Sequence, residues 1–193
     1  MLGSMQYHES VIPEAAVPVA GSPVFQHAVD TYASEINKVA SVWRGFSDAD
    51  LGWRPHAKSS TVLEILKHEL LSQRRFYSEF LGAAEPPPSE VLPREQIVEA
   101  FVRRLTEMAR ARVAFLAAQQ PEWWLGDAVF FDVTRQRVWI FWRRVLHTAH
   151  HRTQLSVYLR LLGKPVPSTY GPTADVSWSG ANPTTSVDAA GGK

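Results

Sequence analysis

VLHTAHHRTQLSVYLRLLGKPVP, residues 145–167, is the stretch on which the fold turns. Its apolar residues recur at helical intervals. Gly163 supplies a C-cap glycine and Pro165 prevents continuation, so a helix ends there. His147 and His151 are four apart and share one helical face, with Cβ atoms about 6 Å apart. Two imidazoles so placed can hold one divalent cation, at about 2.0–2.1 Å for each Zn–N bond. A third ligand must come from another element, and His68 is the candidate.

Working back from that helix, the pattern predicts its start near residue 134, with Asp132 or Thr134 as cap. Residues 119–133 carry Pro121, Trp123-Trp124 and Gly126 and read as an irregular link. A third helix is expected over 94–118, with Ile97, Phe101, Leu105, Met108 and Phe115 inward. Pro86-Pro87-Pro88, which no helix interior accepts, separates it from a second helix over 61–81. Thr61 and Glu64 form a capping-box pattern at the start of that second helix, and His68 lies inside it.

Residues 47–60 are a connection, from which Trp53 plugs the core. The first helix is expected over 23–46. Ser22-Pro23 starts it, and Phe25, Val29, Tyr32, Ile36, Val39, Trp43 and Phe46 form one stripe. Residues 1–22 lack a helical period and read as an extended arm; residues 176–193 read as a flexible tail. No alternating run is long enough for a sheet. The expected fold is all-α: a four-helix bundle over residues 23–175.

The totals narrow the function. Hydrophobic residues make up 45% of 193, enough for one domain with a full core. Cysteine is absent, so any metal must use His, Asp, Glu or water. Net charge is +1, which argues against a nucleic-acid partner. No apolar run approaches the roughly 20 residues that cross a bilayer, and MLGSMQYHES has no signal-peptide pattern. A soluble, cytoplasmic protein without membrane contact is the expectation.

His8, His27 and His56 read as ordinary surface or core histidines, and His150, about 100° around the helix from His151, as surface or a neighbour of the site. Three neutral imidazoles suit Zn or Ni first, with Fe, Co or Mn as other divalent ions, and leave positions open for water or substrate. Glu64 and Glu69 flank His68; either can orient an imidazole or act as a base, though Glu64 is more simply a helix cap. No residue is assigned a catalytic role.

The run HTAHHRTQLSVYLRLLGKPVPSTYGP resembles the C-terminal signature of the DinB/YfiT-like family: His, three residues, His-Arg-x-Gln-Leu, then an apolar helix ending in Gly and Val-Pro. SSTVLEILKHELLSQRRFY, DLGWRP and VWIFWRR are similar to further family stretches, and the resemblance covers about residues 23–175. It implies a four-helix bundle, often a homodimer, binding a divalent metal through His68, His147 and His151. It also implies a metal-dependent enzyme that activates a low-molecular-weight thiol or water, joining the thiol to an electrophile. The alternatives are a metal-dependent hydrolase, or a non-catalytic metal-binding or stress-response bundle.

Arg135, Arg137, Arg143, Arg144, Arg152, Arg160 and Lys164 form a stretch without an acidic residue. Balance against acids on neighbouring helices explains it most simply. An anionic substrate near the metal is the functional alternative, with Arg144 and Arg152 as the substrate-binding candidates.

Overall fold

The computed structural model describes residues 10–177 and 184–190. Four long helices carry the core: α1 (Gln26–Trp43), α2 (Val62–Arg75), α3 (Val98–Ala117) and, after a short α4 (Pro121–Leu125), α5 (Arg137–Leu161). α1 packs against α3 on one side and α5 on the other, and α5 also packs against α2. The helical bundle is as expected. Among the described residues, no helix is long and apolar enough to cross a membrane.

The helix boundaries show where local rules gave way. Pro23–Phe25 form a tighter 3-10 turn before α1, and the side chain of Ser22 does not cap it. α1 then buries Val29, Tyr32, Ile36, Val39 and Trp43, the expected stripe. The capping box that opens α2 is formed: Thr61 Oγ1 accepts from the Glu64 backbone N–H, and the Glu64 carboxylate accepts from the Thr61 N–H. A π turn, Phe76–Phe80, extends α2 and keeps Phe76, Tyr77 and Phe80 inward. Residues 94–97, expected in the third helix, are not helical; α3 begins at Val98, whose N–H donates to Asp48 Oδ1 at 2.7 Å. That cap comes from 50 residues away and leaves no local trace.

The link before α5 is not irregular. β1 (Asp127–Phe130) and β2 (Val133–Gln136) pair antiparallel, with Asp127 opposite Gln136 and Phe130 opposite Val133. The hairpin consumes residues 134–136, so α5 starts three residues later than expected, and neither Asp132 nor Thr134 caps it. Phe131, in the two-residue turn, has φ 55°. At the other end of α5, Gly163 takes φ 70°, Lys164 N–H donates to the Leu159 carbonyl and Gly163 N–H to that of Arg160. These are the two bonds of a Schellman cap.

The arm is docked on the bundle. Ile12 is buried, and its N–H and C=O are both held by the Asn37 amide, at 2.8 and 2.9 Å. Residues 1–9, with His8, lie outside the described residues, as do 178–183 and 191–193 of the expected tail. Trp53 packs against the core from its loop and meets Tyr158 edge-on at 5.3 Å.

Candidate metal centre

The three histidines expected to meet do meet. The His68 ring centroid on α2 is 5.3 Å from that of His147 and 4.8 Å from that of His151 on α5. His147 and His151 are 4.7 Å apart, as their four-residue spacing requires. Glu69 joins them: one ligand atom from each of His68, Glu69, His147 and His151 lies within 4.8 Å of the others, a group that could hold a metal ion. Glu69 is buried, His147 and His151 are half-buried, and His68 is exposed, so the cluster is backed by the core and open on one side.

Its geometry fits a cation. Nε2 of His147 and Nε2 of His151 face each other at 3.3 Å. Two nitrogens at about 2.0–2.1 Å from one tetrahedral ion lie about 3.3–3.4 Å apart. With both Nε2 atoms on the ion, each Nδ1 carries a proton and needs an acceptor. His151 Nδ1 has one in Gln154 Oε1 at 3.1 Å. Gln154 is itself held, donating to the Tyr158 hydroxyl at 3.1 Å, while that hydroxyl donates to the Ser60 carbonyl at 3.1 Å. His147 Nδ1 is buried without a hydrogen-bond partner, with Glu69 Oε1 at 3.9 Å, on the side where a metal-bound histidine meets its orienting carboxylate.

The electrostatics favour the neutral form of His68 and His147 and the charged form of the carboxylate. Burial, then the Arg144 guanidinium, pushes the His147 pKa down to about 4. Burial, then the neighbouring His151, lowers His68. Burial alone would raise Glu69, but the Arg144 guanidinium more than offsets it and leaves the carboxyl below its ordinary value. A neutral imidazole is the form that ligates.

The two arginines expected near a substrate are both buried. Arg144 is 1% exposed; it donates to both Glu69 oxygens, to Ser72 Oγ at 2.6 Å and to Thr148 Oγ1 at 2.8 Å. Arg152 lies behind His151, 3.4 Å from Glu35 on α1. Glu64 is the helix cap already described. His150 is exposed, its ring 5.0 Å from that of His151. His27 stacks on Trp142 and His56 Nδ1 accepts from the Lys58 N–H.

Sequence reasoning did not foresee the Glu69–Arg144 pair behind the site or the tie from Gln154 to His151. Glu69 itself carries a sequence signal, as the carboxylate next to His68 that can orient an imidazole, and it lies on the inner face of α2 beside Leu66 and Leu70. The identity of its partner, 75 residues away, has none.

The fold is similar to that of solved DinB-like proteins. One from Bacillus cereus superposes with a TM-score of 0.64 at 17% identity, covering 74% of this chain and 95% of that one. Another, YjoA from Bacillus subtilis, gives 0.61 at 20% identity, covering 75% and 96%. No curated protein sequence matches this chain. The model of the DinB family matches residues 23–179, across all four long helices and every member of the histidine cluster, and the chain belongs to that family.

Proposed function

We propose that this protein is a metal-dependent enzyme whose divalent ion, zinc or nickel first, is held by His68, His147 and His151. The observation that carries this is the 3.3 Å approach of two half-buried imidazole nitrogens, with a third imidazole closing on them from the facing helix. A bound ion of this kind supplies Lewis acidity, lowering the pKa of a thiol or a water so that a nucleophile exists near neutral pH. The chain's own groups do the rest. Glu69 faces Nδ1 of His147 and orients that ring. Arg144 keeps Glu69 ionised, and Gln154 fixes the tautomer of His151. Family resemblance favours thiol transfer to an electrophile over hydrolysis, and a homodimer acting in the cytoplasm on small molecules.

Glu69 also supports a second reading. Were it a fourth ligand, the site would be closed and structural, in a non-catalytic bundle. Its two oxygens are engaged by Arg144, and His68 is exposed, which favours three ligands and an open position.

The test is elemental analysis of untagged protein, followed by a screen of thiols against a model electrophile. About one divalent ion per chain is expected, with metal and turnover both lost in His151→Ala. Full turnover in a metal-free His151→Ala protein would refute the enzyme. A bound metal whose coordination shell contains no exchangeable water would favour the closed site.

A further inference from the structure

We propose that Tyr158, a residue outside the metal-binding set, decides which nitrogen of His151 is offered to a metal, by fixing the direction of a hydrogen-bond chain that ends on that ring. The proposal rests on the metal centre proposed above and deepens it: Gln154 can set the tautomer of His151 only because Tyr158 sets the orientation of Gln154.

An amide cannot choose a tautomer unaided. It carries an acceptor on one side and a donor on the other, and turning it over exchanges them within nearly the same space. With Oε1 toward His151, Gln154 accepts from Nδ1–H and leaves Nε2 bare for a cation. With Nε2 toward His151, it donates to Nδ1, and the imidazole proton must sit on Nε2, where it blocks the ion. Something beyond Gln154 must select between the two.

The selection starts at Ser60. Its backbone carbonyl has lone pairs and no proton, so it can only accept. The Tyr158 hydroxyl, 3.1 Å away, has one proton and donates it there. The phenol oxygen then faces Gln154 as an acceptor, and only the amide nitrogen can answer it, at 3.1 Å. That turns Oε1 to His151 Nδ1, also at 3.1 Å, and makes Nδ1 the donor. Run in reverse, Tyr158 would donate to Gln154 and Gln154 to His151. The Ser60 carbonyl would then face the hydroxyl oxygen with no proton between them, and one bond of the chain would be lost.

Tyr158 is held in place. It is buried, and Trp53 meets its ring edge-on. The Trp53 carbonyl accepts from the Val62 N–H at 3.0 Å, so the loop that supports the ring is tied to the first turn of α2. Gln154 and Tyr158 lie three and seven residues beyond His151, one and two turns along the same face of α5. Ser60 immediately precedes Thr61, the cap of α2. The entry to the helix that carries His68 is therefore the anchor that orients His151 on the facing helix.

The test removes one oxygen. Tyr158→Phe keeps the ring and its contact with Trp53 but releases the amide. In the metal-free protein, imidazole nitrogen chemical shifts measured by NMR should place the His151 proton on Nδ1 in wild type and spread it over both nitrogens in Tyr158→Phe. Zinc affinity, measured by competition with a chelator, should fall by about tenfold. Gln154→Glu supplies the rescue: a carboxylate has no donor to turn toward the ring, so it needs no anchor. In that background Tyr158→Phe should cost no affinity and leave the proton on Nδ1. A hydroxyl that merely stabilised the fold would weaken binding equally in both backgrounds, and that result would overturn the proposal. So would a wild-type His151 protonated on Nε2, or a tautomer unchanged by Tyr158→Phe. If wild type binds no zinc, the proposed enzyme fails, and the tautomers of the metal-free proteins alone decide the role of Tyr158.

Discussion

Nη2 of Arg144 lies 2.8 and 2.9 Å from the two carboxylate oxygens of Glu69, in the buried contact between α5 and α2. The pair does two jobs. It joins the helices that carry the histidines, and it keeps a charged carboxylate beside His147. Each charge is tolerable in the core only because the other is there.

Removing one partner should therefore cost more than removing both. Arg144→Met leaves Glu69 buried without its counter-charge, and a loss of about 3–5 kcal/mol is expected. Glu69→Leu combined with Arg144→Met should recover much of that stability. Urea denaturation of the three metal-free proteins checks the order, and a double variant no more stable than Arg144→Met would contradict it.

The same site sets a pH dependence for the metal-free protein. The folded-state pKa of His147 is about 4, below the ordinary 6.5, and that of His68 is also lowered. The unfolded chain thus binds more protons than the folded one between those values. Stability from His147 is fully present above about 6.5, declines as pH falls towards 4, and does not decline further below it. Glu69, with its lowered pKa, adds a loss that begins near its unfolded value of 4.5 and continues as pH falls through its folded one. Denaturation midpoints between pH 7 and 4 should fall, and His147→Ala should flatten the slope in that window. A slope unchanged by the substitution would count against the assignment.

How much of this was legible follows from how local each cause is. The His147–His151 pairing depends on one helix and its spacing, and the cap at Thr61 depends on four residues; both could be read directly. The four apolar stripes placed the bundle because each is a property of its own helix. The hairpin was missed because Val129, Phe130, Val133 and Thr134 are good strand formers in runs of only four, too short to show alternation against the aromatic run that follows. The start of α3 was misplaced because Asp48 supplies its cap through space. The roles of Glu69 and Arg152 depend on partners in other helices, and no local pattern encodes those.

The capping box offers a test of how far α2 supports the site. Thr61→Ala removes the acceptor for the Glu64 N–H and should cost about 1 kcal/mol. His68 is seven residues on, beyond the reach of a frayed first turn. Thermal stability should drop while metal stoichiometry stays at the wild-type value. Loss of metal in Thr61→Ala would mean that α2 frays as far as its histidine.

Arg152 follows His151 in sequence but lies about 100° around α5 from it, and faces α1. It is 3.4 Å from Glu35, which also bonds Lys38 at 2.6 Å; both cations lie over the Tyr170 ring, at 5.0 and 3.7 Å. The Tyr170 hydroxyl donates to Glu35, so the segment after α5 is latched onto α1 through one phenol. Two buried cations share one carboxylate here, which makes Glu35 the member the cluster can least lose. Glu35→Leu should destabilise by about 3–5 kcal/mol, as expected when buried charges lose their partner. Tyr170→Ala removes the latch and the ring that the two cations lie over, and leaves the ion pairs of Glu35 in place. It should leave the helices intact by circular dichroism but expose residues 164–176 to limited proteolysis. Should Tyr170→Ala resist protease as wild type does, the segment is held by its other contacts, among them the Arg160–Asp175 pair.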